Sequence, residues 1–235
     1  MRLDKLLSNL KYGSRKDIAK IAKNHMIKVN GETITDASRH INPKEDEVQI
    51  GSEVVHYKAS LTLMMHKRQG VLSARKDDKD ITVIDDLNPD YQRYDLHIAG
   101  RLDKDAEGLL LLTTDGKLLH DIISPQKNVY KTYEVITQDA MPDLSLFKQP
   151  MTLTDGKGEP YQIEPPKIIL QENQKTVIAI KEGKYHQVKN MFKAIGTKVV
   201  FLKRIAIGEL QLPKDLALGE TKELTQNEID RIFKK

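Results

Sequence analysis

The 235-residue sequence contains no cysteine and no tryptophan. A chain without cysteine forms no disulfide and offers no thiolate to a metal, which is typical of proteins of the cytoplasm. No apolar run approaches the ~20 residues of a membrane-spanning helix, and the N-terminus lacks the apolar segment of a secretion signal. The seven histidines include no pair at the i, i+4 spacing of a helical metal site. We therefore expect a cytoplasmic protein with no metal and no membrane partner.

The charge of the chain is unevenly distributed. Charged residues make up 31% of the sequence and the net charge is +4. Residues 1–31 carry eight basic side chains and two acidic ones, a net +6, which leaves −2 for the remaining residues. A basic segment favours a polyanion such as nucleic acid as a partner. The alternative is a solvated helix face, because runs of charge often have no further role.

Two short helices and a hairpin are predicted in the basic segment. Four leucines from Leu3 to Leu10 follow the i, i+3, i+4, i+7 spacing of one helix face. Ser14 and Asp17 have the spacing of a capping box that begins a second helix. Asn30-Gly31 between two short apolar runs predicts a type I′ hairpin turn. Residues 48–50 add a strand, and the polar residues 51–60 are interpreted as a connection.

The rest of the chain shows many short strands and scattered helices without regular βαβ alternation. This pattern predicts an α+β fold around a mixed, mostly antiparallel sheet. We place a small N-terminal domain at residues 1–58 and a larger domain at residues 59–235. The predicted strands cover residues 61–65, 109–112, 129–137, 176–180, 199–202 and 205–207, and the predicted helices cover residues 117–124, 185–195 and 226–233.

A charged loop at residues 100–108 lies between two short apolar runs and has a glycine at each end. The apolar runs are interpreted as buried strands. Rigid strands that carry a charged loop are a common way to build an active site. The alternative is an ordinary surface turn with a local pair between Arg101 and Asp103.

The residues of this loop resemble the signature of the pseudouridine synthases that modify ribosomal RNA. The match begins with Gly100-Arg101-Leu102-Asp103 and continues with Gly108-Leu109-Leu110 and Thr114-Asp115-Gly116. Three further pieces follow in the same order, namely Lys131-Thr132-Tyr133, Gly183-Lys184-Tyr185-His186-Gln187-Val188-Lys189 and Leu202-Lys203-Arg204.

The N-terminal residues resemble the alpha-L RNA-binding motif, which a small-subunit ribosomal protein and several RNA-modifying enzymes share. Ser14-Arg15-Lys16 and Val29-Asn30-Gly31 carry this match. With it the resemblance covers nearly the whole chain, and it is similar to the small-subunit type of synthase with an extra N-terminal RNA-binding domain.

The resemblance implies a role for each matched residue. Asp103 is the expected catalytic carboxylate, with no cofactor and no metal. A duplex or folded RNA hides its bases, so the target uridine is expected to flip out. The expected substrate contacts are Lys189 as the cation beside Asp103, Tyr133 as a ring that stacks on uracil, Leu202 in the base pocket, Arg204 at a phosphate, and Arg101, which either positions Asp103 or binds RNA.

Three positions depart from the family pattern. Arg68 stands where a proline usually follows the lysine in Asn-Lys-Pro-x-Gly, and a proline would pre-set the turn. Ala106 replaces a common threonine or serine, which removes a hydroxyl from the loop. Asn190 stands where a second basic residue often follows Lys189.

The expected partner is ribosomal RNA, most simply that of the small subunit, or a ribosome assembly particle, and we expect a monomer. The expected RNA contacts in the N-terminal domain are Arg2, Lys5, Arg15, Lys16 and Lys20. Two alternatives are a synthase for large-subunit RNA and a non-catalytic assembly factor. A hydrolase with paired carboxylates at Asp103 and Asp105 is a third, which we disfavour because we expect these two side chains to point apart.

Overall fold

The computed structural model describes residues 1–140 and 142–234, which form two compact units. The first unit contains Met1–Leu61 and Asn88–Asp95. The second contains Thr62–Leu87 and the residues from Leu96 onward. Within the described residues, no helix combines the length and the apolar character that crossing a bilayer requires.

The first unit packs helices against a four-stranded antiparallel sheet with the strand order β2-β1-β3-β4. Its elements are α1 (Leu3–Asn9), α2 (Arg15–Lys23), β1 (Ile27–Val29), β2 (Glu32–Ile34), β3 (Val48–Ile50), β4 (Glu53–Val55) and the short helix α3 (Pro89–Gln92).

Local sequence patterns explain most of this unit. The three leucines of α1 and Leu10, which follows it directly, are buried in the core of the unit, as their spacing predicted. The capping box of α2 is present, because the Ser14 hydroxyl accepts from the backbone N–H of Asp17 and the Asp17 carboxylate accepts from the backbone N–H of Ser14. Asn30 and Gly31 have φ angles of 52° and 80°, as a type I′ turn requires.

The interpretation of residues 51–60 as a plain connection is wrong, because they contain β4. This strand pairs in antiparallel fashion with β3 around a turn at Gly51, whose φ is 60°. Only three residues form it, and only Val55 among them is buried. So short a segment shows no alternation that distinguishes a strand from a loop.

The second unit is built on a nine-stranded sheet with the order β11-β12-β8-β13-β7-β5-β15, in which β14 pairs with β13 and β6 with β7. A separate hairpin, β9–β10, three α-helices and two short 3₁₀ helices at Pro125–Lys127 and Ser145–Lys148 complete its described part. The bounds are β5 (Thr62–Lys67), β6 (His97–Ile98), β7 (Glu107–Thr113), α4 (Gly116–Ile123), β8 (Lys131–Thr137), β9 (Met151–Thr154), β10 (Pro160–Ile163), β11 (Lys167–Glu172), β12 (Lys175–Ile180), α5 (Gln187–Ala194), β13 (Val199–Ile207), β14 (Leu210–Gln211), β15 (Thr221–Glu223) and α6 (Gln226–Arg231).

The sheet is mixed and mostly antiparallel, which confirms the predicted fold class. Among the described strands, β7 and β13 form the one parallel pair. Gly108 makes this pairing possible, because a Cβ at that position would lie 2.2 Å from the carbonyl oxygen of Arg204. Its φ of 113° is likewise open mainly to glycine. The close contact fixes the end of the charged loop against the centre of the sheet.

Several element bounds differ from prediction. Residues 199–202 and 205–207 belong to one strand, β13, which carries an irregularity between Arg204 and Ala206. Helix α5 begins at Gln187, two residues later than predicted, because His186 has a left-handed φ of 48°. Strand β11 and the β9–β10 hairpin were not predicted.

Candidate active site

The charged loop connects β6 to β7 and is held from below by a buried lysine. Lys67, at the end of β5, has no exposed surface. Its ammonium donates to the backbone carbonyls of Asp103 at 3.0 Å, Ala106 at 2.9 Å and Arg68 at 3.1 Å. Because a buried cation needs such acceptors, these contacts fix the backbone of the loop and that of Asp103 with it.

The environment of Lys67 also changes its acidity. Burial lowers its pKa to about 8, against the opposing effect of the negative charges of Asp103 and Asp105. The side chain therefore remains charged at neutral pH. The ammonium of Lys67 therefore lies beneath the loop, and the Asp103 carboxylate is carried by the same loop.

Two side chains from the start of α5 meet the Asp103 carboxylate. Lys189 Nζ lies 2.9 Å from Oδ2 and His186 Nε2 lies 3.4 Å from Oδ1. The Asp103 side chain keeps 22% of its surface exposed, so a substrate can reach it. The left-handed backbone of His186 directs its ring here, and the ring stacks on Tyr185 with centroids 3.9 Å apart.

Asp105 converges on the same cation. Lys189 Nζ lies 2.5 Å from Asp105 Oδ1, so one ammonium bridges both carboxylates. The expectation that Asp103 and Asp105 point apart is wrong, because the chain turns at Lys104 and Asp105, where the N–H of Ala106 bonds to the Asp103 carbonyl at 3.1 Å, and both carboxylates reach Lys189. Burial lowers the pKa of Lys189, but the two carboxylates outweigh it and the net pKa is raised. The hydrogen bond from Lys189 lowers the pKa of Asp105.

The Asp103 carboxylate borders a narrow pocket between the loop, the sheet and α5. The pocket has a volume of about 50 Å³, and Tyr133 from β8 and Leu202 from β13 form part of its wall. Both side chains are 6% exposed and pack in one core cluster with Leu102. A wider cleft of about 550 Å³ shares Asp103 and His186 with it. An acid that is paired with a cation, an aromatic ring and an apolar side chain thus meet at one small space.

Sequence comparison assigns the chain to a known family. The profile of the RNA pseudouridylate synthases matches residues 61–194, and that of the S4 domain matches residues 1–48. The chain belongs to the RNA pseudouridylate synthase family. The predicted order of a small N-terminal domain followed by a synthase domain is thereby confirmed.

Relatives match over the full length of the chain. The uncharacterized RNA pseudouridine synthase YtzG of Bacillus subtilis (strain 168) is 45% identical and covers 97% of both chains. The ribosomal small subunit pseudouridine synthase A of Haemophilus influenzae is 36% identical and covers 100% of both. A crystal structure of a pseudouridylate synthase shares the fold, with a TM-score of 0.67, 34% identity and coverage of 99% of both chains.

Two of the substrate residues predicted for this synthase lie in different surroundings from the rest. Arg101 is exposed, lines the Asp103 pocket, and makes no hydrogen bond or ion pair with the described residues. Arg204 is 3% exposed and its Nε donates to the Leu109 carbonyl at 2.7 Å. It does not line the Asp103 pocket, because it faces a neighbouring one that Tyr133 also lines.

The predicted RNA contacts of the S4 domain lie on the surface of the first unit. Lys5 lies on α1, Arg15, Lys16 and Lys20 lie on α2, and all four are exposed. Arg2 differs, because its guanidinium holds the buried Asp4 carboxylate in two hydrogen bonds of 2.7 and 3.0 Å. Its charge is therefore partly engaged within the unit.

Sequence reasoning missed Lys67, His186 and Asp105 as members of the synthase site. Lys67 directly precedes Arg68, in the segment that departs from the family pattern. Arg68, at the position of the usual proline, forms two hydrogen bonds to the Asp86 carboxylate, at 2.8 and 3.0 Å. The N–H of Gly70 then bonds to the Lys104 carbonyl at 2.7 Å. This turn is therefore joined directly to the charged loop.

Proposed function

We propose that this protein isomerises a uridine of small-subunit ribosomal RNA to pseudouridine, with Asp103 as its catalytic residue. The observation that carries the proposal is the carboxylate of Asp103, partly exposed and paired with Lys189, in a pocket walled by Tyr133 and Leu202. The name of the Haemophilus influenzae relative, which matches along its whole length, supports the small-subunit substrate.

The isomerisation requires few chemical groups from the protein. The N1–C1′ bond of the uridine breaks, the base turns over, and C5 bonds to C1′; C5 gives up its proton while N1 gains one. No electron is transferred and no outside group is consumed, so side chains are sufficient. Asp103 assists at the sugar as a nucleophile or at the base as a proton acceptor.

The neighbours of Asp103 fit supporting roles. Lys189 stays charged and holds the carboxylate in one orientation at 2.9 Å. Tyr133 offers a buried ring face on which the flipped uracil stacks, and its phenol lies within reach of the proton that moves. Leu202, on the strand beside that of Tyr133, supplies an apolar part of the pocket wall, which excludes water from the reacting base. Arg101, free at the rim, binds the RNA strand.

The N-terminal residues 1–58 are proposed to dock the RNA while residues 59–235 perform the chemistry. The exposed Lys5, Arg15, Lys16 and Lys20 provide phosphate contacts, with Arg2 in a lesser role because of its pair with Asp4. Such contacts supply affinity without sequence information. We further propose that the protein acts as a monomer, without a cofactor or a metal, on ribosomal RNA or an assembly particle in the cytoplasm.

The test is to map pseudouridine in small- and large-subunit RNA after incubation with the purified protein. We expect one modified uridine in the small-subunit RNA. Asp103→Asn removes a charge with little change of volume and should abolish the product while leaving RNA binding intact. Asp105→Asn is the matched control on the same loop and should retain most of the turnover, since Lys189 keeps its contact to Asp103.

Each alternative has its own outcome in this experiment. Product only in large-subunit RNA would replace the substrate but keep the chemistry. RNA binding without any product in either RNA would favour the non-catalytic assembly factor. Equal loss in Asp103→Asn and Asp105→Asn would indicate a working pair of carboxylates and contradict the single catalytic residue.

A further inference from the structure

His186 lies beside the Asp103 carboxylate but has no part in the chemistry proposed for it. Its Nε2 lies 3.4 Å from Asp103 Oδ1, and its side chain is 37% exposed. The imidazole lines both the narrow Asp103 pocket and the wider cleft next to it. It therefore contacts the carboxylate on one side and the solvent on the other.

The backbone position of His186 does not explain why a histidine occupies it. His186 immediately precedes α5 with φ 48° and ψ 29°, a left-handed conformation that is uncommon and costly for residues other than glycine. Its side chain makes no capping hydrogen bond to the helix. Asparagine or glycine would adopt this conformation at lower cost. Because strained positions of this kind cluster at functional sites, the imidazole itself is the feature that requires a role.

The imidazole of His186 is held in place by the residues around it. Tyr185 stacks on it with ring centroids 3.9 Å apart and an angle of 17° between the rings. The Tyr185 ring in turn packs against Gly156, where a Cβ would lie 3.0 Å from Cε1 of the tyrosine. The side-chain amide of Asn190 donates to the Tyr185 carbonyl at 3.3 Å. The stacked ring also stabilises a positive charge on the imidazole, since the face of an aromatic ring attracts cations.

The two oxygens of the Asp103 carboxylate face different groups. Oδ2 lies 2.9 Å from the ammonium of Lys189, and Oδ1 faces the imidazole of His186. The pKa of Lys189 is raised, so this ammonium keeps its protons and accepts no other. Imidazole both accepts and releases protons near neutral pH. A proton that reaches the carboxylate is therefore repelled by Lys189 and has an acceptor in His186.

The proposed isomerisation produces such a proton. Once C5 has bonded to C1′, the C5–H bond breaks and its electron pair forms the C5=C6 double bond. The former C6=N1 pair moves onto N1, which binds a proton from water. The proton from C5 must leave a pocket of about 50 Å³ that Tyr133 and Leu202 line. A base in contact with both the carboxylate and the solvent gives it a way out.

We propose that His186 is the proton carrier of the site, which moves the C5 proton from Asp103 to the solvent. Oδ1 of Asp103 takes the proton from C5, Nε2 of His186 takes it from Oδ1, and Nδ1 releases a proton to water. The carboxylate is regenerated and the imidazole is neutral before and after, so no further reactant is consumed. The 3.4 Å between Nε2 and Oδ1 shortens in the substrate complex, as catalytic contacts commonly do. The inference rests on the proposed function, because it needs a uridine at Asp103.

The first experiment measures single-turnover rates of the full-length protein on the ribosomal RNA that it modifies. His186→Gln keeps a side-chain amide that can donate to Asp103 but cannot carry a proton. We expect its turnover to fall by about a hundredfold, a typical contribution of a proton-transfer group. RNA affinity and the free energy of unfolding should remain close to those of the parent. His120→Gln, at an exposed histidine of α4, is the matched control and should retain the parental rate.

The second experiment distinguishes a proton carrier from a residue that only orients Asp103. The rates are measured again with deuterium in place of hydrogen at C5 of the uridines in the RNA. Because loss of the C5 proton is the step that His186→Gln slows, the isotope effect should be larger in this variant than in the parent. A residue that only orients Asp103 would instead slow cleavage of the N1–C1′ bond and leave the isotope effect at its parental value.

The third experiment adds free imidazole to His186→Gly. Glycine adopts the left-handed backbone without strain, so this variant tests the proposal even if His186→Gln folds poorly. We expect imidazole to restore part of the turnover, because it can enter the space left by the side chain and carry the proton. Imidazole should not restore Asp103→Asn, which lacks the carboxylate that takes the proton from C5.

The outcomes separate this inference from the proposed function. A parental rate or a parental isotope effect in His186→Gln, or no rescue of His186→Gly by imidazole, would overturn the proton carrier. An enlarged isotope effect in Tyr133→Phe but not in His186→Gln would assign the proton to the phenol and overturn it as well. In each of these cases an active parent protein leaves the proposed function intact. A parent that forms no pseudouridine in ribosomal RNA would overturn the proposed function and the proton carrier together.

Discussion

The ammonium of Lys67 lies 3.0 Å from the carbonyl oxygen of Asp103, and no part of Lys67 is exposed to solvent. The proposed catalytic residue is thus held twice, through its backbone by a buried cation and through its side chain by Lys189 at 2.9 Å. Positioning on rigid supports of this kind lowers the cost of reaching the reactive geometry. The two cations act on different atoms of Asp103, so their removal should have different consequences.

Replacement of the buried cation should affect both stability and turnover. Lys67→Met leaves the carbonyls of Asp103, Ala106 and Arg68 without their donor. We expect the free energy of unfolding to fall by roughly 2–4 kcal/mol. Turnover should fall by about a hundredfold, because the loop no longer fixes the carboxylate. Urea unfolding and single-turnover rates measure the two effects.

Lys104→Met is the matched control for this prediction. Lys104 lies on the same loop, but its ammonium is exposed and pairs with Asp80 at the surface. Exposed ion pairs contribute little, so stability should change by less than about 1 kcal/mol. If Lys104→Met and Lys67→Met destabilised the protein equally, the special role of the buried contacts would be refuted.

Removal of the second cation should affect turnover more than binding. Lys189→Met deletes the ammonium that bridges Asp103 and Asp105 and leaves the two carboxylates to repel each other. We expect turnover at saturating RNA to fall by roughly a hundredfold, with RNA affinity nearly unchanged. Lys189→Arg should restore part of the rate, since the charge remains but the geometry differs. Lys193→Met, one helical turn further on an exposed face of α5, should behave as the parent. A loss of affinity with an unchanged rate would identify Lys189 as a phosphate contact.

The fold was predictable wherever local patterns were strong. The leucine spacing of α1 and the capping boxes of α2 and α6 each specify their element within a few residues. Strand β11 was not predicted, because it is an edge strand whose consecutive apolar residues Ile168, Ile169 and Leu170 remain exposed. Neither alternation nor burial distinguishes such a segment. Pairing partners far apart in sequence, such as β7 and β13, have no local signature at all.

The site was predictable only in part, and for a different reason. Family resemblance pointed to Asp103, Tyr133, Lys189 and Leu202. The structure places Asp103, Tyr133 and Leu202 around one pocket, and Lys189 forms an ion pair with Asp103 without lining that pocket. The burial of Lys67 was not predictable, because a lysine beside polar turn residues is normally exposed. The approach of His186 to Asp103 depends on the left-handed backbone of His186, which no local sequence preference predicts.

The basic face of the first unit should determine the salt dependence of RNA binding. The triple change Arg15→Gln, Lys16→Gln and Lys20→Gln removes three exposed charges from α2. We expect the slope of log affinity against log salt to become shallower by about 2 to 3, because each phosphate contact releases counterions. The control replaces Lys148, Lys157 and Lys198, three exposed lysines of the second unit, in the same way. Equal effects of both triple changes would show that charge alone, and not this helix, controls binding.

The buried Lys67 and the partly buried Lys131 should make the protein more stable at alkaline pH. The pKa of Lys67 and that of Lys131 are lowered by burial to about 8 from an ordinary value of 10.5. Between about pH 8 and pH 10.5 the unfolded chain keeps protons on these lysines that the folded chain has lost, so the free energy of unfolding rises with pH. Each lysine should contribute roughly 2–3 kcal/mol by pH 10. The pKa of Lys189 is raised, so its loss of a proton changes the stability only at higher pH.

Urea unfolding at several pH values tests this prediction, and Lys131→Met should show about half the rise in the free energy of unfolding. A parent protein whose stability is flat or falls from pH 8 to pH 10 would contradict the lowered pKa values, and an undiminished rise in Lys131→Met would exclude Lys131 as a source.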